Sequence, residues 1–229
     1  MAVTRDDVIQ TAIQLLQEVG LDGLTLRRLA TELGISAPTL YWHVKDKREL
    51  LDAMAETMVN DQRASQPPFP AHLPWDEQIA EGLRRQFHAL IAYRDGARVV
   101  AGNRPTERAM PQIENFLNIW VEAGFSPAEA LASILSFGDY VTGSALEYQA
   151  ESERRREQSA DKQSEIWARI ADYPTLREAA LGRMKRLSDG RFGDSFEHGL
   201  QLMMAGLRVR HAELMAEKAK AAQSARPSE

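Results

Sequence analysis

The chain has 229 residues, of which 44% are hydrophobic and 27% are charged, the composition of an ordinary soluble globular protein. It contains no cysteine, which excludes disulfides and thiolate metal sites, and its net charge of −5 argues against a protein that coats nucleic acid through bulk electrostatics. No apolar run approaches the ~18–20 residues that span a bilayer and the start lacks a signal-peptide layout, so we expect a cytoplasmic protein that does not enter a membrane.

Helix start signals divide the N-terminal part of the chain into short helices. Thr4 and Asp7 form a capping-box pattern, a hydroxyl followed three residues later by a carboxylate, before a run with helical spacing. Thr25 and Ser36 are the caps predicted for the next two helices. Asp46–Glu49 is a further capping box, and it opens a longer helix.

The remaining chain also predicts helices. Residues 66–74 contain four prolines and indicate a stiff linker. Apolar residues at helical spacing then predict helices from 79 to about 93, from Pro105 to Gly124, from Ser126 to about Gln149, from about 164 to 187, and from 194 onward. The predicted fold is all-α, with a three-helix domain at 1–46, a linker helix at 47–65, a larger helical domain at 66–218 and a disordered tail at 219–229.

Residues 29–45 have the pattern of two short helices joined by a tight turn. Ala30 and Gly34 supply the small and flexible residues that crossing helices need, and Leu40 anchors the second helix in the core. The outer face of this second helix is too polar and aromatic to serve packing alone, which indicates contact with DNA. The alternative is that Tyr41 and Trp42 are aromatic residues of the core. The candidate DNA contacts are Thr25, Arg27, Ala37, Pro38, Thr39, Tyr41, Trp42, His43 and Lys47.

These segments resemble the DNA-binding domain of the tetracycline repressor family, through Leu24–Ala30 (LTLRRLA), Leu33–Ile35 (LGI) and Pro38–Lys45 (PTLYWHVK). The resemblance continues at YRDGA from Tyr93, at Arg104-Pro105, at GFS from Gly124, at Leu146-Glu147 and at HGL from His198. It implies that residues 1–46 are a helix-turn-helix DNA-binding domain and that 66–218 are a ligand-binding and dimerisation domain. It also implies an all-α homodimer that represses a nearby gene and leaves its operator DNA when a small molecule binds. Ala37 stands where the family usually has a longer base-reading residue, so we expect a different operator sequence.

The same resemblance implies a changed ligand. Tetracycline repressors hold their drug as a magnesium chelate through an imidazole, and the aligned residue here is Val100, which cannot coordinate a metal. Family contact positions are also replaced by Asn103, Gln86, Gly82 and Arg63, whereas Glu147 is retained. One carboxylate without an imidazole is a poor magnesium site. We therefore expect no cofactor and a bulky, partly apolar inducer that binds without metal.

We expect this ligand in a largely apolar cavity of the larger domain. The alternative for each apolar residue is that it only packs the core. The candidate lining residues are Gln86, Val100, Asn103, Arg104, Pro105, Ile113, Phe116, Leu131, Ile134, Phe137 and Glu147.

Small residues on two helices predict an interface between subunits. They are Gly138, Gly143, Ser144 and Ala145 after Ser126, and Gly199, Ala205 and Gly206 in the last helix, beside a heptad-like seam of Phe196, Leu200, Met203, Leu207 and Leu214. The alternative is packing within one chain. A homodimer places the DNA-contacting helices of its two subunits about one DNA turn apart, ~34–36 Å, on a palindrome. Ligand in the core would shift the helices before Gly102 and swing the 46–63 helix like a lever.

An enzyme is not predicted. The five histidines are scattered, none at metal-pair spacing with a carboxylate partner, and the chain has no HExxH, GxSxG or P-loop motif. The predicted function is that of a repressor released from its operator by a small, antibiotic-like or other bulky inducer. The alternative is a DNA-binding regulator without a small-molecule ligand, whose larger domain takes a protein partner or only dimerises.

Overall fold

The computed structural model describes residues 3–67, 72–157, 167–188 and 194–224, and every regular element in those ranges is helical. The predicted all-α fold is confirmed. None of the described helices is both long and apolar enough to cross a membrane. The helices are α1 (Arg5–Gly23), α2 (Leu26–Glu32), α3 (Ala37–Tyr41), α4 (Lys47–Ala64), α5 (Trp75–Ile91), α6 (Gly96–Val100), α7 (Met110–Glu122), α8 (Pro127–Glu157), α9 (Pro174–Ser188) and α10 (Asp194–Ser224).

The predicted caps start the N-terminal helices. The Thr4 hydroxyl accepts from the Asp7 backbone N–H, and the Asp7 carboxylate accepts from the Thr4 N–H, which completes the capping box of α1. Thr25 and Ser36 cap α2 and α3 in the same way, through hydrogen bonds of 3.1 and 3.3 Å. Local sequence therefore determines where these helices begin.

The fourth predicted cap forms only in part. The Asp46 carboxylate accepts from the Glu49 N–H at 2.8 Å. The Glu49 carboxylate, however, accepts from the N–H of Lys45 and not of Asp46. It also contacts Arg5, so a tertiary ion pair takes part of the role that a capping box gives to this side chain.

Two hydrophobic cores meet at α6. The first joins α1 to α4, and its fully buried members include Leu16, Leu29, Leu40 and Met54. The second joins α5, α7, α8 and α10. Its members include Phe87, Trp120, Phe137 and Leu200. Val100 of α6 packs against both cores, so this short helix is the seam between the two domains.

Several predicted boundaries differ from the structure, among them the end of α8, which continues past Gln149 to Glu157. The segment after Pro105 first forms a 3₁₀ turn, Glu107–Ala109, and α7 begins only at Met110 because Pro111 suits the first turn of a helix. The helix predicted across 164–187 is interrupted before Pro174, which lacks the N–H that a continuous helix needs; residues 164–166 lie outside the described residues. The predicted disordered tail is helical to Ser224, and 225–229 lie outside the described residues.

Candidate nucleic-acid interface and ligand site

Helix α3 presents two aromatic rings to solvent. Leu40, between the turn and these rings, is 1% exposed and fixes the helix to the first core. Tyr41 is 52% exposed and Trp42 is 88% exposed, so these rings are not core aromatics. An exposed tryptophan of this kind has nothing in its own chain to cover its apolar surface, which is typical of a surface that meets a partner.

The other predicted DNA contacts surround these rings. The exposed ones are Thr25 at the cap of α2, Arg27 on α2, and Ala37, Pro38 and Thr39 on α3. The hydroxyls of Ser36 and Thr39 lie 2.8 Å apart. His43 is half-buried, and its carbonyl accepts from the Arg5 guanidinium. The ammonium group of Lys47 donates to the Leu21 carbonyl at 3.3 Å, so this cation is directed toward the end of α1 in the free chain.

The predicted ligand residues do not all come together. Glu147 is exposed, and Leu131 is 46% exposed on the outer face of α8 beside Leu135, which is 61% exposed. Arg104 and Pro105 line a polar cleft of about 880 Å³ formed with α1 and α4. Apart from Pro105, the predicted apolar residues do not line that cleft. The half-buried members are Gln86, Val100, Asn103, Ile113, Phe116 and Ile134, and Phe137 is buried.

An aromatic cluster occupies the middle of the larger domain. Phe116 lies so close to α5 that a Cβ on Gly82 would meet its ring at 2.9 Å. The Trp120 ring lies 6.5 Å from Phe116 and 5.9 Å from Phe137, centroid to centroid. Trp120 is fully buried, yet its indole N–H has no hydrogen-bond partner among the described residues. The sequence carries no signal for this unpaired donor, because periodicity predicts burial but not the position of an acceptor.

The residues at the expected drug-chelate position do not suit magnesium. Val100 offers no donor atom and packs against both cores. Glu147 is an exposed carboxylate, and the position that supplies an imidazole to the chelate in tetracycline repressors is Val100 in this chain. Within the described ranges, no three or more His, Cys, Asp or Glu side chains are grouped so that they could hold a metal ion. Magnesium prefers several oxygen ligands in octahedral geometry, which this site does not supply.

Comparison with known proteins identifies the family. Residues 8–54 match the family model described as bacterial regulatory proteins, tetR family, and residues 68–211 match the tetracyclin repressor-like C-terminal domain. The chain belongs to the TetR family. It is a TetR-family transcriptional regulator, as the sequence resemblance predicted.

Three relatives illustrate the match. The chain is 36% identical to the class C tetracycline repressor protein of Escherichia coli, over 89% of this chain and 90% of that protein. The structure of a TetR variant from Acinetobacter baumannii AYE in complex with minocycline is 33% identical, with a TM-score of 0.69 over 92% of this chain and 99% of that one. ActR of Streptomyces coelicolor in complex with (S)-DNPA is 30% identical, with a TM-score of 0.73 over 91% and 99%.

In this TetR-family chain a polar network joins the DNA-binding domain to the larger domain. Arg98 of α6 contacts Asp22 of α1 at 2.8 Å and Asp95 at 3.0 Å, and Asp95 accepts from the Leu21 N–H. The hydrogen bond from Arg98 lowers the pKa of Asp22, and hydrogen bonds to Asp22 and then Asp95 raise the pKa of Arg98. The sequence did not predict this network, because nothing local relates residue 22 to residue 98.

Helix α10 buries some of its apolar residues in its own chain and exposes others, and the division differs from the sequence prediction. Phe196, Leu200 and Leu207 of the predicted seam are buried in their own chain, and Gly199 lies against Tyr140. These three side chains complete the second core, and Met203 and Leu214 are partly buried against it, so this row of residues packs largely within its own chain. A neighbouring face of α10 remains open: Leu202 and Val209 are 63% and 62% exposed, and a Cβ on Gly206 would meet nothing within 4 Å.

Proposed function

We propose that this TetR-family regulator binds a two-fold symmetric DNA operator as a homodimer and that a small molecule, bound without metal, releases it. The observation that carries the DNA-binding part is the exposure of Tyr41 and Trp42 on a helix held by buried Leu40. A rigid helix that presents polar-tipped aromatics beside exposed Thr25 and Arg27 can read base edges and contact phosphates together.

The open faces of α8 and α10 support the dimer. Leu131, Leu135 and Gly138 follow one another at helical spacing on α8, and Leu202, Gly206 and Val209 do so on α10. The leucines and the valine are exposed, and a Cβ on either glycine would meet nothing within 4 Å. The α8 and α10 faces of two copies can pack together as a four-helix bundle, in which the glycines allow the helices to approach closely.

The ligand part of the proposal is supported by the relatives and by the changed drug position. One similar structure is in complex with minocycline and another with (S)-DNPA, so the scaffold accommodates different molecules. In this chain three of the half-buried residues predicted to line the ligand cavity are apolar, namely Val100, Phe116 and Ile134. We infer a bulky, partly apolar inducer whose affinity does not depend on magnesium.

Selection of bound duplexes from a random DNA library, followed by fluorescence anisotropy on the selected site, tests the DNA-binding part. We expect a palindromic site bound by two chains. Replacing Trp42 with alanine should weaken binding about tenfold or more while leaving the melting temperature unchanged, because the ring makes so little contact with its own chain. Replacing Tyr173 with alanine removes another exposed aromatic ring, distant in sequence from α3, and is the matched control. Equal DNA affinity of the Trp42 variant and the wild type contradicts the proposal.

Release is tested on the same complex with minocycline and tetracycline, each with excess magnesium and with excess EDTA. We expect any release to persist in EDTA. Tight tetracycline binding that disappears with EDTA contradicts the metal-independent ligand without affecting the DNA-binding proposal.

The close contact of Phe116 with Gly82 supports a second candidate, a regulator with no small-molecule ligand. A ring in that position fills space between α5 and α7 that a ligand would otherwise use. A thermal-shift screen against polycyclic aromatic compounds distinguishes the two candidates. Stabilisation by a compound that also releases DNA favours the ligand-responsive regulator, and no stabilisation across the screen favours the ligand-free one.

A further inference from the structure

The turn between α5 and α6, residues 92–95, lies where the two domains meet, and it is called the α5–α6 turn below. On one side it contacts the first core. The Asp95 carboxylate accepts from the Leu21 N–H of α1 at 2.8 Å. Gly96, the first residue of α6, lies so close to α4 that a Cβ there would meet the Met58 side chain at 3.2 Å. The α5–α6 turn is therefore in contact with both α1 and α4.

A single side chain of α8 holds the same turn from the larger domain. The Gln149 amide nitrogen donates to the Leu90 carbonyl at 3.2 Å and to the Tyr93 carbonyl at 2.7 Å. Its amide oxygen accepts from the Ala97 N–H of α6 at 3.3 Å. These three bonds use both N–H donors of the amide and its oxygen, so Gln149 joins the end of α5 to the start of α6.

The turn has no equivalent support of its own. Asp95, at the N-cap position of α6, makes no side-chain hydrogen bond that caps this helix, so the Ala97 N–H takes its acceptor from Gln149. Asp95 also has a φ of 55°, in the left-handed region that residues other than glycine rarely adopt, and such a conformation persists where its surroundings hold it. A carboxylate in place of the Gln149 amide has no N–H to donate and would place its charge against two carbonyl oxygens.

Helix α8 also carries one face of the proposed dimer. Leu135 of that face lies 14 residues before Gln149, which is about 21 Å along the helix at 1.5 Å per residue. The helix is continuous over Pro127–Glu157, so the packing that places Leu135 against a second copy also places Gln149. Contacts therefore run from the dimer face through α8 and the α5–α6 turn to α1 and α4.

We propose that Gln149 is a positioning residue, which fixes the α5–α6 turn on α8 and so sets the distance between the two DNA-binding domains of the dimer. This role rests on the homodimer proposed above, and it needs no inducer. The half-sites of a palindrome lie about one DNA turn apart, ~34–36 Å, and each base pair adds about 3.4 Å. Gln149 thereby determines which half-site spacing the dimer fits.

The distance between two spin labels in the dimer tests this role without DNA. The chain has no cysteine, so Glu32→Cys, at an exposed residue of α2 outside the predicted DNA contacts, gives one label per chain. Double electron–electron resonance should give a narrow distance distribution for this labelled chain. Adding Gln149→Glu should broaden the distribution or shift its mean by about 3 Å or more, the rise of one base pair. Adding Gln223→Glu, the same change at an exposed residue of α10, should leave it unchanged.

Operators with altered half-site spacing provide a second readout. The palindrome selected above is compared with versions that have one central base pair added or removed. The wild type should bind both altered sites about tenfold or more weakly, and Gln149→Glu should reduce this discrimination to about threefold or less. Its affinity for a single half-site should stay that of the wild type, because α3 is unchanged. A purely structural role would lower the melting temperature or weaken binding to all sites alike, and would not change the spacing preference.

Light scattering establishes that each variant is still a dimer. If Gln149→Glu fails to fold, Gln149→Met removes the donors without adding a charge and provides the same measurements. Unchanged label distances, or an unchanged spacing preference, in a folded dimeric variant overturn the proposal. A wild-type chain that is a monomer contradicts the proposed homodimer and this role with it. A wild-type dimer that binds no palindrome contradicts only the DNA-binding proposal, and the label distances then decide the role of Gln149.

Discussion

At the scale of single residues, an exposed tryptophan contrasts with a buried one whose polar group has no partner among the described residues. Trp42 and Trp120 show the contrast, because the first is 88% exposed and the second is fully buried with an indole N–H that is unpaired among the described residues. Their sequence contexts indicate a helix in both cases. Only the positions of neighbouring helices reveal that Trp120 lies among Phe116, Phe125 and Phe137 with no acceptor in the described ranges.

Replacing Trp120 with phenylalanine should change the free energy of unfolding by less than about 1 kcal/mol, because removing an unpaired buried donor offsets the lost ring volume. Replacing it with alanine should cost about 3–5 kcal/mol, the usual range for a large aromatic in a core. Urea unfolding of both variants measures the difference. A loss above about 3 kcal/mol for the phenylalanine variant would show that the indole N–H is hydrogen-bonded after all.

At the scale of elements, long-range ion pairs decide how the helices are joined. Arg84 of α5 makes two hydrogen bonds with Glu197 of α10, at 2.8 and 2.7 Å, across 113 positions of sequence. Arg98 plays the same part between α6 and α1 through Asp22. Capping and periodicity predicted α1, α5 and α10 but not the short helix α6. They could not predict these partners either, because charge pairing depends on which faces meet.

The Arg84–Glu197 pair should make stability depend on pH. The hydrogen bond from Arg84 lowers the pKa of Glu197, so the pair stabilises the folded chain above the ordinary pKa of glutamate and loses this effect as the pH falls through the lowered pKa. Glu197→Gln should cost about 0.5–1 kcal/mol at pH 7, given that both side chains are about one-third exposed, and progressively less below about pH 4.

Urea unfolding at pH 7 and pH 3 measures this dependence. Glu114→Gln is the control, because Glu114 is exposed and has no ion pair with any residue in the described ranges. A difference between the Glu197 variant and the wild type that is the same at both pH values would exclude the ion pair as its source.

At the scale of the whole molecule, two domains share a seam made of α4, α6 and the segment 104–108. Val100 packs against both cores, and a polar cleft lies between α1, α4 and the segment 104–108. Both α6 and this segment contact α4, which belongs to the first core. This arrangement is consistent with the lever motion expected from the sequence, because α4 packs in the first core and also contacts the larger domain.

Replacing Leu202 with glutamate should convert the proposed dimer to a monomer, because a charge on the open face of α10 cannot be buried against a second copy. Size-exclusion chromatography with light scattering gives the mass directly. Leu176→Glu, a similarly exposed leucine on α9, is the control and should leave the mass unchanged. A Leu202 variant that is folded and retains the wild-type mass contradicts this placement of the interface.

The sequence by itself determined the helical fold, the caps at Thr4, Thr25 and Ser36 and the exposed reading helix, because caps, turns and amphipathic spacing act over a few residues. It also indicated the family, which the comparisons confirm. The tertiary structure decided that Phe196, Leu200 and Leu207 fill their own core while Leu202 and Val209 face outward. Both faces of α10 carry apolar residues at helical spacing, so only the position of α5 and α8 distinguishes them. The same holds for the polar cleft between α1, α4 and the segment 104–108, whose walls lie 50 residues apart in the chain at the Glu56–Thr106 contact and meet only when the two domains are in place.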